Sequence, residues 1–269
     1  MKIARWLAVL VFLGASISGC DSAEERDLKR GLHHQSAGEF REALAKFEST
    51  MKRAPGSPSS LRAARESVKI RVFDIKSYDR AIEDLKFLIL YSKDPQERWR
   101  SQNQIAQIYF DNLARYDKAL VEYSRLLSSP ASKEEEWRVK MAIARCYYYL
   151  GQVSHSWTET NYILAEENLP SDLVFDALFL LANIQLSQKK YRETAQSLEK
   201  LSKNFPERAK KENVGINLSL CYEELGEKSE AIRVLEELRP FYEPKDYIDL
   251  RIKKIRDRFS DLPRKKAKE

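Results

Sequence analysis

Small and large apolar residues recur along the chain in a pattern that repeats six times. In each copy a small residue is followed four positions later by a large apolar or near-apolar one, and successive small residues lie 38, 38, 37, 38 and 37 positions apart. The six pairs are Ala43 with Phe47, Ala81 with Leu85, Ala119 with Tyr123, Ser156 with Thr160, Thr194 with Leu198, and Ala231 with Leu235. So constant a period predicts stacked structural repeats rather than one central core.

Within one period the apolar positions follow the spacing of an amphipathic helix. In the fourth period Ile143, Ala144 and Tyr147 form one stripe, and Gly151 marks a turn into a second helix. Helix starts are indicated by capping residues at Ser22, Asp94 and Ser132. Each period is therefore predicted to be two antiparallel helices of roughly 15 residues joined by a short turn.

These repeats predict an all-α protein. We expect an α-solenoid of about six helix pairs over residues 23–243, a capping helix over residues 244–260, and a basic tail over residues 261–269. The residues expected to form the apolar stripe of the capping helix are Tyr247, Leu250, Ile255 and Phe259. Because stacked helix pairs create long binding surfaces, this architecture favours a binding function over catalysis.

The amino-terminal residues have the composition of a secretory signal peptide. Lys2 and Arg5 precede an apolar stretch of ten residues, which is about half the length of a membrane-spanning helix. The stretch leads into Ile17-Ser18-Gly19-Cys20, which resembles a bacterial lipobox. We therefore predict a signal peptide over residues 1–19, acylation of Cys20 with chains such as palmitate, and a tether over residues 20–22. The alternative is an ordinary cleavage site that happens to contain a cysteine.

A lipidated Cys20 would place the protein in a bacterial cell envelope, facing the periplasm. In enterobacterial lipoproteins an aspartate in the position of Asp21 is associated with retention in the inner membrane. That rule does not extend to all bacteria, so both the inner and the outer membrane remain open. The short tether predicts that the first repeat lies near the bilayer.

The charge distribution argues against nucleic-acid binding. The formal net charge is +6, but six of the 47 basic residues lie in the two termini. Once Glu269 is also set aside, 41 basic residues stand against 40 acidic ones. Nucleic-acid binding requires a clustered positive surface, and the body of this chain has none in its sequence.

The repeats resemble the tetratricopeptide repeat. The first repeat carries the family's characteristic residues at Gly31, Gly38, Phe40, Ala43, Phe47 and Pro55. Tyr78, Tyr116 and Tyr191 occupy the position that precedes the second helix. The period departs from the usual 34 residues, and repeat two lacks the turn glycine.

Together with the lipobox, these residues make the chain similar to bacterial tetratricopeptide-repeat lipoproteins. That family includes the helical lipoprotein of the outer-membrane barrel assembly machine and the pilotins of type IV pilus systems. The resemblance implies an envelope scaffold that binds other proteins or peptides, with a role in outer-membrane protein assembly as the first expectation. The alternatives are a pilotin-like role and an adaptor that regulates a peptidoglycan enzyme.

A second stripe on the first helix of each repeat is predicted to face the concave side of the solenoid. Arginine suits carboxylates and asparagine can hold a peptide backbone, so these positions are candidates for protein binding. The alternative is that they are ordinary solvated positions. The candidate residues are Arg100, Asn103, Gln107, Phe110, Arg138, Met141, Arg145, Tyr148, Phe179 and Asn183.

Nothing in the sequence predicts catalysis, a cofactor, a metal site or a small-molecule substrate. His33 and His34 are adjacent and point to different faces of a helix, and His155 lies in a predicted turn. Cys146 and Cys221 fall two repeats apart, which is too far for a disulfide, so both are expected to be buried thiols.

Overall fold

The computed structural model describes residues 22–129 and 132–260. Their packing divides them into two compact units, with the boundary between Lys93 and Asp94. The residues described contain helices and turns but no strand, which confirms the predicted all-α class. The predicted signal peptide, Cys20, Asp21 and the basic tail lie outside the described residues.

The first unit contains two helix pairs. Its helices are α1 (Ala23–Ser36), α2 (Phe40–Arg53), α3 (Pro58–Lys69) and α4 (Tyr78–Tyr91). Each helix packs on the next one in the chain, and α1 also packs on α3. This is the packing expected for consecutive helical repeats.

The second unit continues with four more helix pairs and a terminal helix. Its helices are α5 (Pro95–Gln107), α6 (Tyr116–Leu127), α7 (Lys133–Tyr149), α8 (Val153–Leu164), α9 (Ser171–Ser187), α10 (Tyr191–Asn204), α11 (Pro206–Lys211), α12 (Val214–Glu224), α13 (Lys228–Leu238) and α14 (Lys245–Ser260). The short helix α11 was not foreseen from the sequence. It precedes α12, the first helix of the last pair, and Asn213 between them has a positive φ of 55°.

The predicted helix caps are present. The Ser22 hydroxyl accepts a hydrogen bond from the Glu25 backbone N–H while the Glu25 carboxylate accepts one from the Ser22 N–H, which completes a capping box. Asp94 caps α5, with Pro95 in its first turn. Ser132 caps α7 through the backbone N–H of Glu135.

The periodic small residues form the tightest part of the packing. All six are fully buried, with 0% exposure at Ala43, Ala81, Ala119, Ser156, Thr194 and Ala231. Their large partners are also buried. The hydroxyl of Thr160, the polar member of this set, donates a hydrogen bond to the Ser156 carbonyl oxygen at 2.7 Å. The sequence period therefore marks the contact between helices of each pair.

The turns inside the pairs share a backbone conformation that the sequence shows only in part. A residue with positive φ occupies each turn, at the same 38, 38, 37, 38 and 37 spacing: Gly38, Lys76, Ala114, Gly151, Lys189 and Gly226. Repeat two lacks the turn glycine, as its sequence indicates, yet its turn keeps the left-handed conformation at Lys76. In the second and third pairs a π-helical turn, Ile70–Asp74 or Ile108–Asn112, extends the first helix before this residue.

The last helix confirms the predicted element and, at Ile255, part of its predicted stripe. Ile248, Ile252 and Ile255 of α14 are buried against the core of the second unit. Tyr247 and Leu250 are instead 41% and 51% exposed, so their assignment to the packed stripe was wrong. The isoleucines lie four and three residues apart, which is the spacing of one helix face.

A buried ion pair, together with a half-exposed glutamate, joins three elements of the first unit. Arg71, in the first π-helical turn, is ion-paired with Asp84 of α4 at 3.0 Å and with Glu48 of α2 at 2.5 Å. The Ser67 hydroxyl donates a hydrogen bond to Asp84 and accepts one from Arg71. Burial raises the pKa of Asp84 to about 6, although its contacts with Ser67 and Arg71 act in the opposite direction.

Both cysteines of the described chain are buried free thiols, as their spacing predicts. Burial raises the pKa of Cys146 to about 12 and that of Cys221 to about 11. Their thiolates are therefore strongly disfavoured at neutral pH, and both side chains act as small apolar residues of the core.

Candidate functional site

Two adjoining cavities open along the first helices of the second unit. The first, about 310 Å³, lies among α5, α7 and α9, and the second, about 390 Å³, lies among α7, α9 and α11. Met141, Arg145 and Asp176 line both, so the two form one surface, which we call the α7 groove. Its lining includes Trp99, Asn103, Gln107, Phe110, Arg138, Met141, Arg145, Tyr148, Tyr149, Asp176, Phe179 and Asn183, together with the charged side chains of Asp111, Glu135, Arg208 and Glu212.

Nearly all the side chains predicted to face a ligand line this groove. The exception is Arg100, which is exposed on α5, donates a hydrogen bond to the Gln96 side chain at 3.3 Å and lies outside both cavities. Phe110 and Met141 line the groove but are only 9% and 4% exposed. They form its floor, which corrects the expectation that they would project as exposed contact residues.

Four aromatic rings, those of Phe110, Tyr116, Tyr148 and Tyr149, contact one another and are called the aromatic cluster below. Phe110 lines the first cavity, and Tyr148 and Tyr149 line the second. The rings of Tyr116 and Tyr149 are stacked, with centroids 4.8 Å apart and planes at 15°. Phe110 meets the Tyr149 ring edge to face at 5.5 Å, and Tyr148 meets it at the same distance. Tyr149 is nevertheless 51% exposed, so the cluster presents a fixed ring to solvent.

Tyr149 is the functional candidate that the sequence analysis missed. Tyr147, Tyr148 and Tyr149 are consecutive, and only Tyr148 is among the predicted binding residues. Tyr148 is partly buried, and burial raises its pKa. The stripe spacing alone does not identify Tyr149, because its place in the groove depends on contacts with two rings of the preceding repeat.

Arg145 carries the positive charge at the centre of the groove. Its guanidinium lies 5.1 Å from the centroid of the Phe110 ring. Within the described chain no carboxylate lies at ion-pair distance from it, although Asp176 lines the same cavities. Asp176 is paired with Arg208 at 2.6 Å, and burial raises its pKa while Arg208 and Arg145 oppose that shift. Arg145 is therefore available to an acidic or carbonyl group of a ligand.

Arg138 has a structural role that its sequence position did not reveal. It is paired with Glu134 of α7 at 2.7 Å and with Asp172 of α9 at 2.8 Å. The hydrogen bond from Arg138 lowers the pKa of Asp172. Arg138 thus connects successive repeats beside the groove, and its guanidinium is already engaged.

Carboxamide side chains on α5 face the groove without partners. Asn103 and Gln107 lie one helical turn apart, and neither makes a hydrogen bond to any residue that the structure describes. On α9, by contrast, the Asn183 side chain accepts a hydrogen bond from Asn217 at 2.7 Å. The indole N–H of Trp99 is buried and has no partner among the described residues. The α5 side of the groove therefore has unused hydrogen-bonding capacity.

The residues described contain no group of three or more His, Cys, Asp or Glu placed to hold a metal ion. His34 contacts the Glu39 carboxylate at 2.5 Å, and the His155 ring is stacked on that of Tyr147 at 5.2 Å. Both contacts give these histidines ordinary structural roles.

Over the described part of the chain, every helix is too short or too polar to cross a lipid bilayer.

Comparison with known proteins identifies one repeat directly. The family model of the tetratricopeptide repeat matches residues 176–208, which run from α9 through α10 into α11. The groove residues Asp176, Phe179 and Asn183 lie in the matched segment. No curated protein matches the sequence significantly.

Solved structures show the same fold over most of the chain. PilW, described as a widely conserved type IV pilus biogenesis factor, is 14% identical with a TM-score of 0.56, and the match covers 85% of this chain and 99% of PilW. A tetratricopeptide repeat protein from Parabacteroides merdae is also 14% identical, with a TM-score of 0.52 and coverage of 87% and 98%. At this identity the likeness establishes the helical repeat fold.

Proposed function

We propose that this protein is a lipid-anchored scaffold of the bacterial cell envelope that binds other proteins through the α7 groove. The observation that carries the proposal is the groove itself. Side chains from consecutive repeats converge there, and Asn103, Gln107 and Arg145 have neither hydrogen-bond nor ion-pair partners in the described chain. Exposed polar groups beside a fixed aromatic ring are typical of protein-binding surfaces.

The anchor is proposed from the sequence. Lys2 and Arg5, the apolar stretch after them and the lipobox ending at Cys20 together support export, cleavage and acylation. Several acyl chains on one residue give stable attachment, since a single chain is marginal. The mature protein would then extend from the membrane into the periplasm.

Fractionation of cells tests the anchor. We expect the Cys20→Ala variant to move from the membrane fraction to the soluble fraction, or to accumulate as a precursor with its signal peptide. A Ser18→Ala variant is the matched control, because it changes the lipobox without removing the acylated residue. Membrane attachment of the Cys20→Ala variant at the wild-type molecular mass would overturn the proposal.

Two envelope processes are the leading candidates for the role in which the protein binds its partner. The resemblance to the lipoprotein of the barrel assembly machine supports a role in outer-membrane protein assembly. The fold shared with PilW over 85% of this chain favours type IV pilus biogenesis as the second candidate. Adaptor function for a peptidoglycan enzyme is the third, and the identity of the bound partner separates all three.

Site-specific photo-crosslinking in living cells tests the groove. We would place benzoylphenylalanine at Gln107 or Asn183, which line the groove, and at Thr158, an exposed control on α8. The proposal predicts one protein adduct shared by the two groove positions and absent from the control. Adducts that are absent from the groove positions, or equal at all three, would overturn it.

A further inference from the structure

We infer that the first unit lies against a phospholipid surface through the end at which α1 begins. The inference rests on the lipid anchor of the proposed function, because it specifies which surface of the protein contacts the lipid. The exposed side chains of this end, called the lipid-facing end below, are Lys52, Arg53, Pro55, Leu90, Tyr91 and Lys93.

Parts of three helices come together at the lipid-facing end. Asp27 of α1 is paired with Arg53, the last residue of α2, at 3.5 Å. The loop after α2 then passes the end of α4, where a β-carbon on Gly56 would lie 3.5 Å from the Cδ1 atom of Tyr91. The start of α1 and the ends of α2 and α4 therefore form one continuous surface.

The proposed acylation site is close to this surface along the chain. Asp21 and Ser22 alone separate Cys20 from Ala23, the first residue of α1. Three residues of chain span at most about 11 Å. Acyl chains on Cys20 would therefore keep the start of α1, and the surface that adjoins it, close to the lipid headgroups.

The cavity between α2 and α4, of about 630 Å³, becomes more polar with distance from the lipid-facing end. The lining residues close to the ends of the two helices are apolar apart from one lysine: Met51, Lys52, Pro55, Phe87 and Tyr91. The lining residues farther from those ends are all charged: Glu48, Arg71, Arg80, Glu83 and Asp84. This gradient matches the change from lipid to water across a membrane interface.

Leu90 and Tyr91 supply the apolar contact at the rim of the cavity. The Leu90 side chain is 71% exposed and that of Tyr91 is 38% exposed. Transfer of the leucine from water to the headgroup boundary is favourable in proportion to the apolar area that it buries. Tyrosine suits the same layer, because its ring is apolar and its hydroxyl is polar.

Lys52 and Lys93 supply the groups that bind lipid phosphates. Neither lysine has a hydrogen-bond or ion-pair partner among the residues that the structure describes. An ammonium group forms strong, charge-assisted hydrogen bonds with phosphate oxygens. The long apolar stem of lysine also lets its charged group reach the headgroups from beside Leu90 and Tyr91.

The acidic side chains at the start of α1 are bound within the protein. Asp27 is paired with Arg53, and the Glu25 carboxylate accepts a hydrogen bond from the Ser22 N–H. Hydrogen bonds with its own backbone N–H and with the Ser22 side chain lower the pKa of Glu24. These carboxylates therefore hold the helix start and Arg53, and they do not pair with the two lysines.

Exposed apolar residues alone do not identify the lipid-facing end. Phe73 is also 71% exposed, but it lies at the opposite end of the first unit, just before α4 begins at Tyr78. The start of α4 is about 18 Å from Leu90 along the helix axis. Phe73 is therefore a matched control, because it is equally exposed and far from the proposed lipid contact.

Fluorescence quenching in vesicles tests the inference. The acylated full chain is reconstituted with phosphatidylethanolamine and phosphatidylglycerol, and an environment-sensitive fluorophore is attached to the Leu90→Cys or the Phe73→Cys variant. Cys146 and Cys221 are buried, and wild type treated with the same reagent gives the background. Circular dichroism verifies that both variants fold.

Lipids that carry a nitroxide near the headgroup should quench the probe at position 90 at least about twofold more than the probe at position 73. Iodide in the aqueous phase should quench the two probes in the opposite order. Equal quenching of both probes by the nitroxide lipids, or stronger quenching at position 73, would overturn the inference.

Charge reversal tests the contribution of the two lysines. The combined Lys52→Glu and Lys93→Glu substitutions should reduce nitroxide quenching at position 90 by at least about half, because headgroup phosphates repel the new carboxylates. The combined Arg30→Glu and Arg41→Glu substitutions are the matched control, since both arginines are exposed elsewhere in the first unit and the net charge changes equally. Equal loss of quenching in the two double variants would contradict the inference.

Flotation of the same vesicles separates this inference from the proposed function. If the purified chain does not float with the vesicles, the lipid anchor is wrong and the proposed function fails with it. If the chain floats and the probe at position 90 is not quenched, the anchor stands and the inference alone is wrong.

Discussion

The ring of Phe47 lies directly over the backbone of Gly31, where α2 packs on α1. A β-carbon on residue 31 would stand 2.5 Å from the Cε1 atom of Phe47 and 2.7 Å from Cδ1. Phe47 is fully buried, and it is the large partner of Ala43 in the first repeat. The glycine that begins the repeat pattern is therefore required by close helix packing rather than by backbone conformation.

We expect the Gly31→Ala substitution to lower the free energy of unfolding by about 1 to 3 kcal/mol, because the added methyl group overpacks the α1–α2 contact. Urea unfolding followed by circular dichroism measures the change. Gly215→Ala is the matched control, since its added β-carbon would meet the Val234 Cγ1 atom at 3.3 Å, a tight contact but a much smaller overlap than at residue 31. The control should lose less stability than Gly31→Ala, because its contact requires a shift of only a few tenths of an ångström and alanine favours a helix over glycine by about 1 kcal/mol. Equal effects of the two substitutions would refute this account.

Two substitutions in the turns are expected to change the free energy of unfolding in opposite directions. Ala114 adopts a φ of 49°, a left-handed conformation that costs an L-residue about 1 to 2 kcal/mol. We expect Ala114→Gly to raise the free energy of unfolding by about 0.5 to 1 kcal/mol, after the entropic cost of glycine is subtracted.

The reverse exchange at the equivalent turn is the control. Gly151 has a φ of 73°, and no atom lies within 4 Å of an added β-carbon. Gly151→Ala should therefore lower the free energy of unfolding by about 1 kcal/mol through backbone strain alone. Thermal unfolding measures the change in stability of each variant relative to wild type. Changes of the same sign in both variants would show that backbone strain does not account for them.

The sequence predicted the packing period accurately because a fully buried helix contact limits the size of the residue at that position. Ala43, Ala119 and Ala231 are therefore recognisable without a structure. The left-handed turns at Lys76 and Ala114 cannot be recognised in this way, because lysine and alanine occur in helices, strands and turns alike. A turn without glycine is thus apparent only from the backbone.

The groove was predicted in outline but not in its chemistry. Helical spacing placed Asn103, Arg145 and Asn183 on one surface, which the structure reproduces. Spacing does not show that Arg138 is paired with Asp172, since the two lie 34 residues apart. In α14 the packed stripe can be read from the sequence, because Ile248, Ile252 and Ile255 are spaced as on one helix face. Large size alone favoured Tyr247 and Leu250, which are exposed.

Buried Asp84 makes the stability of the first unit depend on pH. Its pKa is about 6 in the folded protein, against an ordinary value of 3.8. Because the raised pKa means that the folded state binds the proton more tightly, the associated stability is fully present below about pH 4. It is lost as pH rises through 6. The groups that face Asp84 are Ser67, Arg71, Glu48 and Glu83.

We expect the Asp84→Asn variant to remove this dependence, because asparagine resembles the protonated acid. Between pH 4 and 7 the wild-type free energy of unfolding should fall relative to the variant by up to about 3 kcal/mol, at 1.36 kcal/mol for each unit of pKa shift. Urea unfolding at four pH values, followed by circular dichroism, measures the difference. Glu83→Gln is the control, because the Glu83 side chain is 60% exposed. Parallel curves for wild type and Asp84→Asn would show that the group does not titrate as described.

The α7 groove, and not another surface, is the proposed binding site of the partner protein. The most direct test uses the partner that photo-crosslinking identifies. The amount of this partner captured from detergent extracts is measured for purified wild type, Arg145→Glu and Arg192→Glu. Arg192 lies on α10 and is exposed outside the groove, so its reversal changes the net charge equally. We expect Arg145→Glu to reduce capture at least about tenfold, since reversing a charge at a contact removes an attraction and adds a repulsion. Arg192→Glu should retain capture, and wild-type capture by Arg145→Glu would contradict the account.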